Sequence, residues 1–121
     1  MNNNNTELLV DQLVQGLQEK KGSQIAVVDL REIDDTICQY FVICTANSPS
    51  HASALADSAA EFARLKAGSK PLAVDGLRHA LWVAMDYADV MVHIFLREER
   101  EFYDLEHLWA DASITEFPDE Y

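Results

Sequence analysis

The chain has 121 residues, enough for one domain and no second. Hydrophobic residues make up 49%, and glycine and proline together number only seven (4 and 3), which excludes a disordered chain and predicts a packed core. Nine Lys+Arg stand against 21 Asp+Glu, a formal charge of −12, which argues against binding naked nucleic acid or an anionic membrane and favours a basic protein partner.

Residues 1–5 read as a polar, flexible N-terminal tail. They carry no basic region with an apolar stretch behind it, so no signal peptide is expected. Thr6 can cap a helix whose apolar positions Leu9, Val10, Leu13, Val14 and Leu17 form one buried stripe, and Gly22 suits the position past its end. Gln24 to Leu30 reads as a first strand, followed by a turn-like stretch from Glu32 to Asp35. Tyr40 to Thr45 reads as a second strand, apolar on both faces and therefore central. Cys38 and Cys44 lie near this one extended run, at most about 20 Å apart along a strand, too far to bridge each other. Reduced thiols in the cytoplasm are the expectation, in keeping with the absence of any run of 18 apolar residues that could span a membrane.

Ser48 and Pro49 mark the cap and first position of an alanine-rich helix that ends at Gly68. Pro71 to Asp75 is a short strand, placed at an edge by its proline. Two further strands, Leu81 to Tyr87 and Val90 to Leu96, flank the two-residue loop Ala88-Asp89. In that register Tyr87 faces Val90, Met85 faces Val92, Val83 faces Ile94 and Leu81 faces Leu96, an entirely apolar face. The other face pairs Asp86 with Met91, Ala84 with His93, and Trp82 with Phe95. Two readings of it stay open. It is the aromatic centre of a protein–protein interface, or it is covered by a final helix, Glu98 to Ala110, through Phe102, Leu105 and Trp109. From Glu98 to Tyr121 there are nine acidic residues and one basic, Arg100, which could pair with Asp104 one helical turn on. Ser113 to Tyr121 reads as an acidic C-terminal tail.

Signals for catalysis are sparse. Asp86 and His93 are diagonal neighbours on the hairpin, roughly 7–8 Å apart at the backbone, and such a pair could orient a base. No serine or cysteine in the hairpin supplies a nucleophile. His51, His79, His93 and His107 are scattered without HExxH or CxxC spacing, so no metal site is expected. The Thr45-Ala46-Asn47-Ser48 loop leads from a strand to a helix but lacks glycine and lysine for a phosphate. No cofactor is expected.

Taken together, Tyr40 to Ser48 with His51, then Trp82, Asp86, Tyr87, Asp89-Val90 and Val92 to Phe95, then Arg100, Phe102 to Glu106, Leu108-Trp109 and Asp111-Ala112 resemble the ribosomal silencing factor (Iojap) family. Ala46 and Ala88 stand where glycine is common in that family. Ala88 at a positive φ would cost about 1 kcal/mol. The resemblance implies an α/β domain of the α+β type over residues 6–112, a mixed sheet of about five strands with flanking helices. It implies similarity to nucleotidyltransferases without their activity. It further implies a translational repressor that binds the large ribosomal subunit through large-subunit ribosomal protein fourteen and obstructs joining of the small subunit, notably when nutrients are short. A role in large-subunit maturation and a nucleotidyltransferase-like enzyme are the alternatives. The pattern and the resemblance together nominate Trp82, Asp86, Tyr87, Met91, His93, Phe95, Arg100, Tyr103, Asp104, Glu106 and Trp109 as partner-facing. An open strand edge could also pair with a second copy of the chain.

Overall fold

A computed structural model of the chain describes residues 3–33, 36, 38–109 and 111–119. Its elements are α1 (Asn3–Glu19), β1 (Ser23–Asp29), β2 (Tyr40–Ala46), α2 (Pro49–Ala67), β3 (Ala73–Asp75), β4 (Trp82–Asp86), β5 (Val90–Leu96), α3 (Arg97–Tyr103), α4 (Leu105–Leu108) and β6 (Ser113–Glu116). The strands form one mixed sheet in the order β3-β4-β5-β2-β1-β6, with β2 and β5 parallel and every other pair antiparallel. The sheet thus has six strands where the sequence reading counted five. The sixth, β6, arises from the expected acidic tail, and its pairing runs from Ser113 opposite Asp29 to Glu116 opposite Ala26.

Two cores lie on the two faces of the sheet. On one, Val42, Cys44, Val83, Met85, Val92 and Ile94 meet Leu9, Leu13 and Leu17 of α1 and Leu55, Ala59 and Ala63 of α2. On the other, Val28, Phe41, Ile43 and Phe95 form a smaller cluster against which Leu105, Trp109 and Ala112 pack. All seven residues of β2 are buried, as expected of a central strand.

Helix ends follow local chemistry. Ser48 Oγ accepts the His51 N–H at 3.1 Å, Pro49 opens α2, and Gly68 closes it at φ 62°. α1 departs from expectation at both ends. It starts at Asn3, so Asn3 to Asn5 belong to a helix, while Met1 and Asn2 lie outside the described residues. Thr6 is therefore no cap; it is buried inside α1, and its Oγ1 donates to Asp89 Oδ2 at 3.4 Å. At the far end Lys21, not Gly22, takes the left-handed conformation (φ 62°). Gly22 is needed for space, because a Cβ there would sit 2.4 Å from Cys44 Sγ. The expected turn at Glu32 to Asp35 falls partly outside the described residues.

The closest helix–helix approach is set by Gly16, where a Cβ would lie 2.7 Å from the Ala59 Cα. Ser58 Oγ donates to the Gly16 carbonyl at 2.7 Å across the same contact. Gly16→Ala forces these backbones apart. We predict a loss of about 1–2 kcal/mol in urea unfolding, although alanine is the better helix former by about 1 kcal/mol. Unchanged or higher stability would show that the two helices separate freely.

Candidate docking surface

The β4–β5 hairpin adopts the predicted register, with Trp82 opposite Phe95, Ala84 opposite His93 and Asp86 opposite Met91. Tyr87 N–H donates to the Val90 carbonyl at 2.9 Å, and Ala88 sits at φ 69°. At that φ an alanine is mildly strained. Asp86 Oδ1 accepts the Ala88 N–H at 2.8 Å and so holds the strained turn. The Asp89 carbonyl accepts from the backbone N–H groups of Gln39 (2.7 Å) and Tyr40 (3.1 Å), tying the turn to the start of β2.

The sheet face away from α1 and α2 carries a layer of rings. Trp82 stacks on Phe95 with centroids 5.0 Å apart, and Tyr103 lies over Trp82 at 4.4 Å. Phe41 meets the edges of His93 (4.9 Å) and Trp109 (6.0 Å). Trp82 Nε1–H donates to His93 Nδ1 at 3.0 Å. This bond requires an unprotonated Nδ1, so the neutral ring carries its proton on Nε2, a buried atom with no partner among the described residues. Burial alone pushes the imidazole down to about 4.

The C-terminal cover is not one helix. It breaks at Asp104, which is left-handed (φ 46°), into α3 and α4; Ala110, the expected helix end, lies outside the described residues. The break decides which side chains reach the sheet. Tyr103, Leu105 and Trp109 do, whereas Phe102, expected to cover the sheet, is 81% exposed, and Leu108 is 71% exposed. Arg100 does not pair with Asp104. Its Nη2 donates to Glu106 Oε2 at 2.7 Å and its Nη1 to the Gln24 carbonyl (2.5 Å) and Thr45 Oγ1 (2.8 Å). Asp104 instead engages His107 Nδ1, which raises the pKa of that exposed imidazole.

Of the nominated residues, Trp82, His93, Phe95, Tyr103 and Trp109 thus come together in one layer, with half-buried Met91 packed on the same side. Arg100, Asp104 and Glu106 form its C-terminal margin. Tyr87 does not join them, since it is buried with the helix-side core. Asp86 and His93 do not form a dyad, because the carboxylate is spent on the turn and the imidazole on the indole. The Thr45–Ser48 loop holds an ordinary cap, closed further by the Asn47 N–H on His51 Nδ1 at 2.9 Å. Cys38 and Cys44 are free and buried, and desolvation pushes their thiols up to about 11 and about 12. Sequence reasoning missed the exposure of Phe102 and Leu108. The adjacent pair Phe102-Tyr103 was the available signal, since neighbours on a helix cannot both face one sheet.

The family description "Ribosomal silencing factor during starvation" matches residues 3–120. The chain belongs to the ribosomal silencing factor family. A ribosomal silencing factor of Halalkalibacterium halodurans is 35% identical over 112 residues, covering 93% of each chain. More distantly, the mouse protein "Mitochondrial assembly of ribosomal large subunit protein 1" is 28% identical over 109 residues; they span 88% of this chain and 47% of the mouse protein. The fold matches a crystal structure of a Chromobacterium violaceum protein with a TM-score of 0.79 at 28% identity, covering 84% of this chain and 83% of that one. The family is thus one named for ribosome silencing. No helix among the described residues is long and apolar enough to cross a membrane.

The buried imidazole has a measurable consequence. The unfolded chain protonates His93 near 6.5, the folded chain near 4. Stability from this group is full above pH 6.5 and falls as pH drops to 4, by about 3 kcal/mol. We expect His93→Gln, which can still accept the indole N–H, to flatten the pH dependence of urea unfolding in that window. Parallel curves for the two proteins would show that His93 charges freely in the fold.

Proposed function

We propose that this chain is a translational repressor that binds the large ribosomal subunit through large-subunit ribosomal protein fourteen and blocks joining of the small subunit by occupancy. The observation that carries the reading is the half-covered ring layer at the β4–β5 hairpin, set in a chain of charge −12. Trp82 and Tyr103 supply aromatic contact area with Met91 and Trp109 beside them, and exposed Phe102 and Leu108 extend the apolar surface. Asp86, Asp104 and Glu106 give an acidic rim. His93 and Phe95 act as the floor under Trp82.

A ribosomal protein is typically basic and flanked by RNA phosphates. Acidic charge is drawn to the first and repelled by the second, so a defined aromatic patch decides where the molecule stops. Exclusion then needs no turnover and no cofactor. A domain about 30 Å across covers enough of a flat docking face to keep a second body away. A dissociation constant near 1 μM requires only about −8 kcal/mol. Such a factor works in the cytoplasm with the ribosomes, and nutrient shortage is the condition in which reduced translation pays.

A second reading is a role in large-subunit assembly, favoured by the name of the mouse relative. Depleting the protein in rich medium separates the two, since an assembly factor leaves precursor particles and a repressor leaves normal subunits.

The direct test is gradient sedimentation of tagged protein from lysate. It should travel with free large subunits and be absent from joined ribosomes. Trp82→Ala should weaken binding to purified large subunits by about 30-fold or more, as truncating a central aromatic anchor does, while circular dichroism shows the fold retained. Wild-type affinity in that variant would remove the hairpin face from the interface.

A further inference from the structure

We infer that Arg100 is a positioning residue, not a partner contact: its guanidinium fastens the α3–α4 cover to the sheet and so sets Tyr103 over Trp82. This deepens the docking reading above and rests on it. Neither α3 nor α4 contains a buried residue. Apolar burial therefore does little to fix their orientation, since Tyr103, Leu105 and Trp109 lean on the second core without being buried themselves. Arg100 supplies the missing anchor. Its side chain is only 12% exposed, and three of its N–H bonds reach three different elements: the Gln24 carbonyl on β1, Thr45 Oγ1 on β2 and Glu106 on α4. A planar fork can serve three acceptors at once, which an ammonium on a flexible stem does poorly.

The backbone around it is shaped to the same end. The β1–β2 ladder shifts register between Ser23 and Ala26, and Gln24 lies at φ 49° within the shift. The irregularity takes the Gln24 carbonyl out of the ladder and leaves it to accept from Arg100. Its N–H goes to Asp119 Oδ1 at 3.0 Å. At the other end, the left-handed Asp104 turns the chain so that Glu106 comes back to Arg100. Tyr103 is three residues beyond Arg100, on the same side of α3, and so goes where the anchor puts it. Two non-glycine residues at positive φ thus flank one guanidinium, strain of the kind that persists only where surrounding contacts enforce it.

The test compares Arg100→Gln, Arg100→Lys, Glu106→Ala and the Arg100→Gln/Glu106→Ala double variant. Three readouts are taken: the Tyr103–Trp82 ring contact by nuclear Overhauser effect, amide exchange in β2 and β5, and affinity for purified large subunits. We expect every variant to lose or weaken the ring contact while β2 and β5 stay protected. Affinity should fall about tenfold in Arg100→Gln and Glu106→Ala, and the double variant should be no worse than Arg100→Gln, because the two residues act as one unit. If Arg100→Gln does not fold, Arg100→Lys and Glu106→Ala carry the comparison. Weakened binding of Arg100→Gln with the ring contact intact would mean that Arg100 meets the partner directly and overturn the inference. A ring contact that survives in all variants would overturn it as well. Should the wild-type chain fail to bind large subunits, the docking reading falls, yet the ring contact still decides the role of Arg100.

Discussion

Everything in this molecule follows from the parallel pairing of β2 with β5 at the centre of the sheet. A central pair of this kind is apolar on both faces and has to be covered on both. One cover is conventional. α1 and α2 pack on each other through Gly16 and Ala59 and present a broad aliphatic surface to Val42, Cys44, Val92 and Ile94. The other cover is made from a short, broken and acidic segment. It closes over Phe41 and Ile43 but only partly over Trp82 and Met91, and that incomplete closure is what leaves an aromatic surface for a partner.

Stability is given up in the same place. His93 lies among rings with its Nε2–H unpartnered among the described residues, and a buried donor left so costs about 1–3 kcal/mol. Its other nitrogen accepts the indole N–H of Trp82, which locks the tryptophan plane. Ala88, Gln24 and Asp104 each hold a positive φ without being glycine, and each borders the ring layer or its anchor. Lys21 and Ala80 hold a positive φ as well, at the end of α1 and in the helix-side core, so backbone strain of this kind is not confined to the ring layer.

Much of the plan was legible in residue order. The hairpin register could be read because alternation along Leu81–Leu96 separates an aliphatic face from a mixed one, and a slip of one residue would invert them. The cap at Ser48-Pro49 and the stop at Gly68 could be read because their chemistry is local. The family could be read from several blocks in order. What could not be read was long-range. Nothing in Ser113–Glu116 marks a strand, since all four residues are exposed and their order comes from backbone pairing with β1. The break at Asp104 was hidden because apolar residues at 102, 105, 108 and 109 fit one continuous helix equally well. Arg100 pointed to Asp104 by spacing, yet it took Glu106, Gln24 and Thr45 once the chain had turned.

The sequence by itself therefore determined the elements whose apolar period is unambiguous, the charge, and the absence of a phosphate loop or metal-ligand spacing, because these depend on neighbours a few residues apart. Tertiary structure decided which half of the hairpin's second face stays open, which aromatic residues of the C-terminal segment look outward, and what the lone arginine of that segment holds. Those outcomes depend on groups from β1, β2 and α4 converging on one guanidinium across 76 and 55 residues of chain, and no local pattern encodes a meeting of that range.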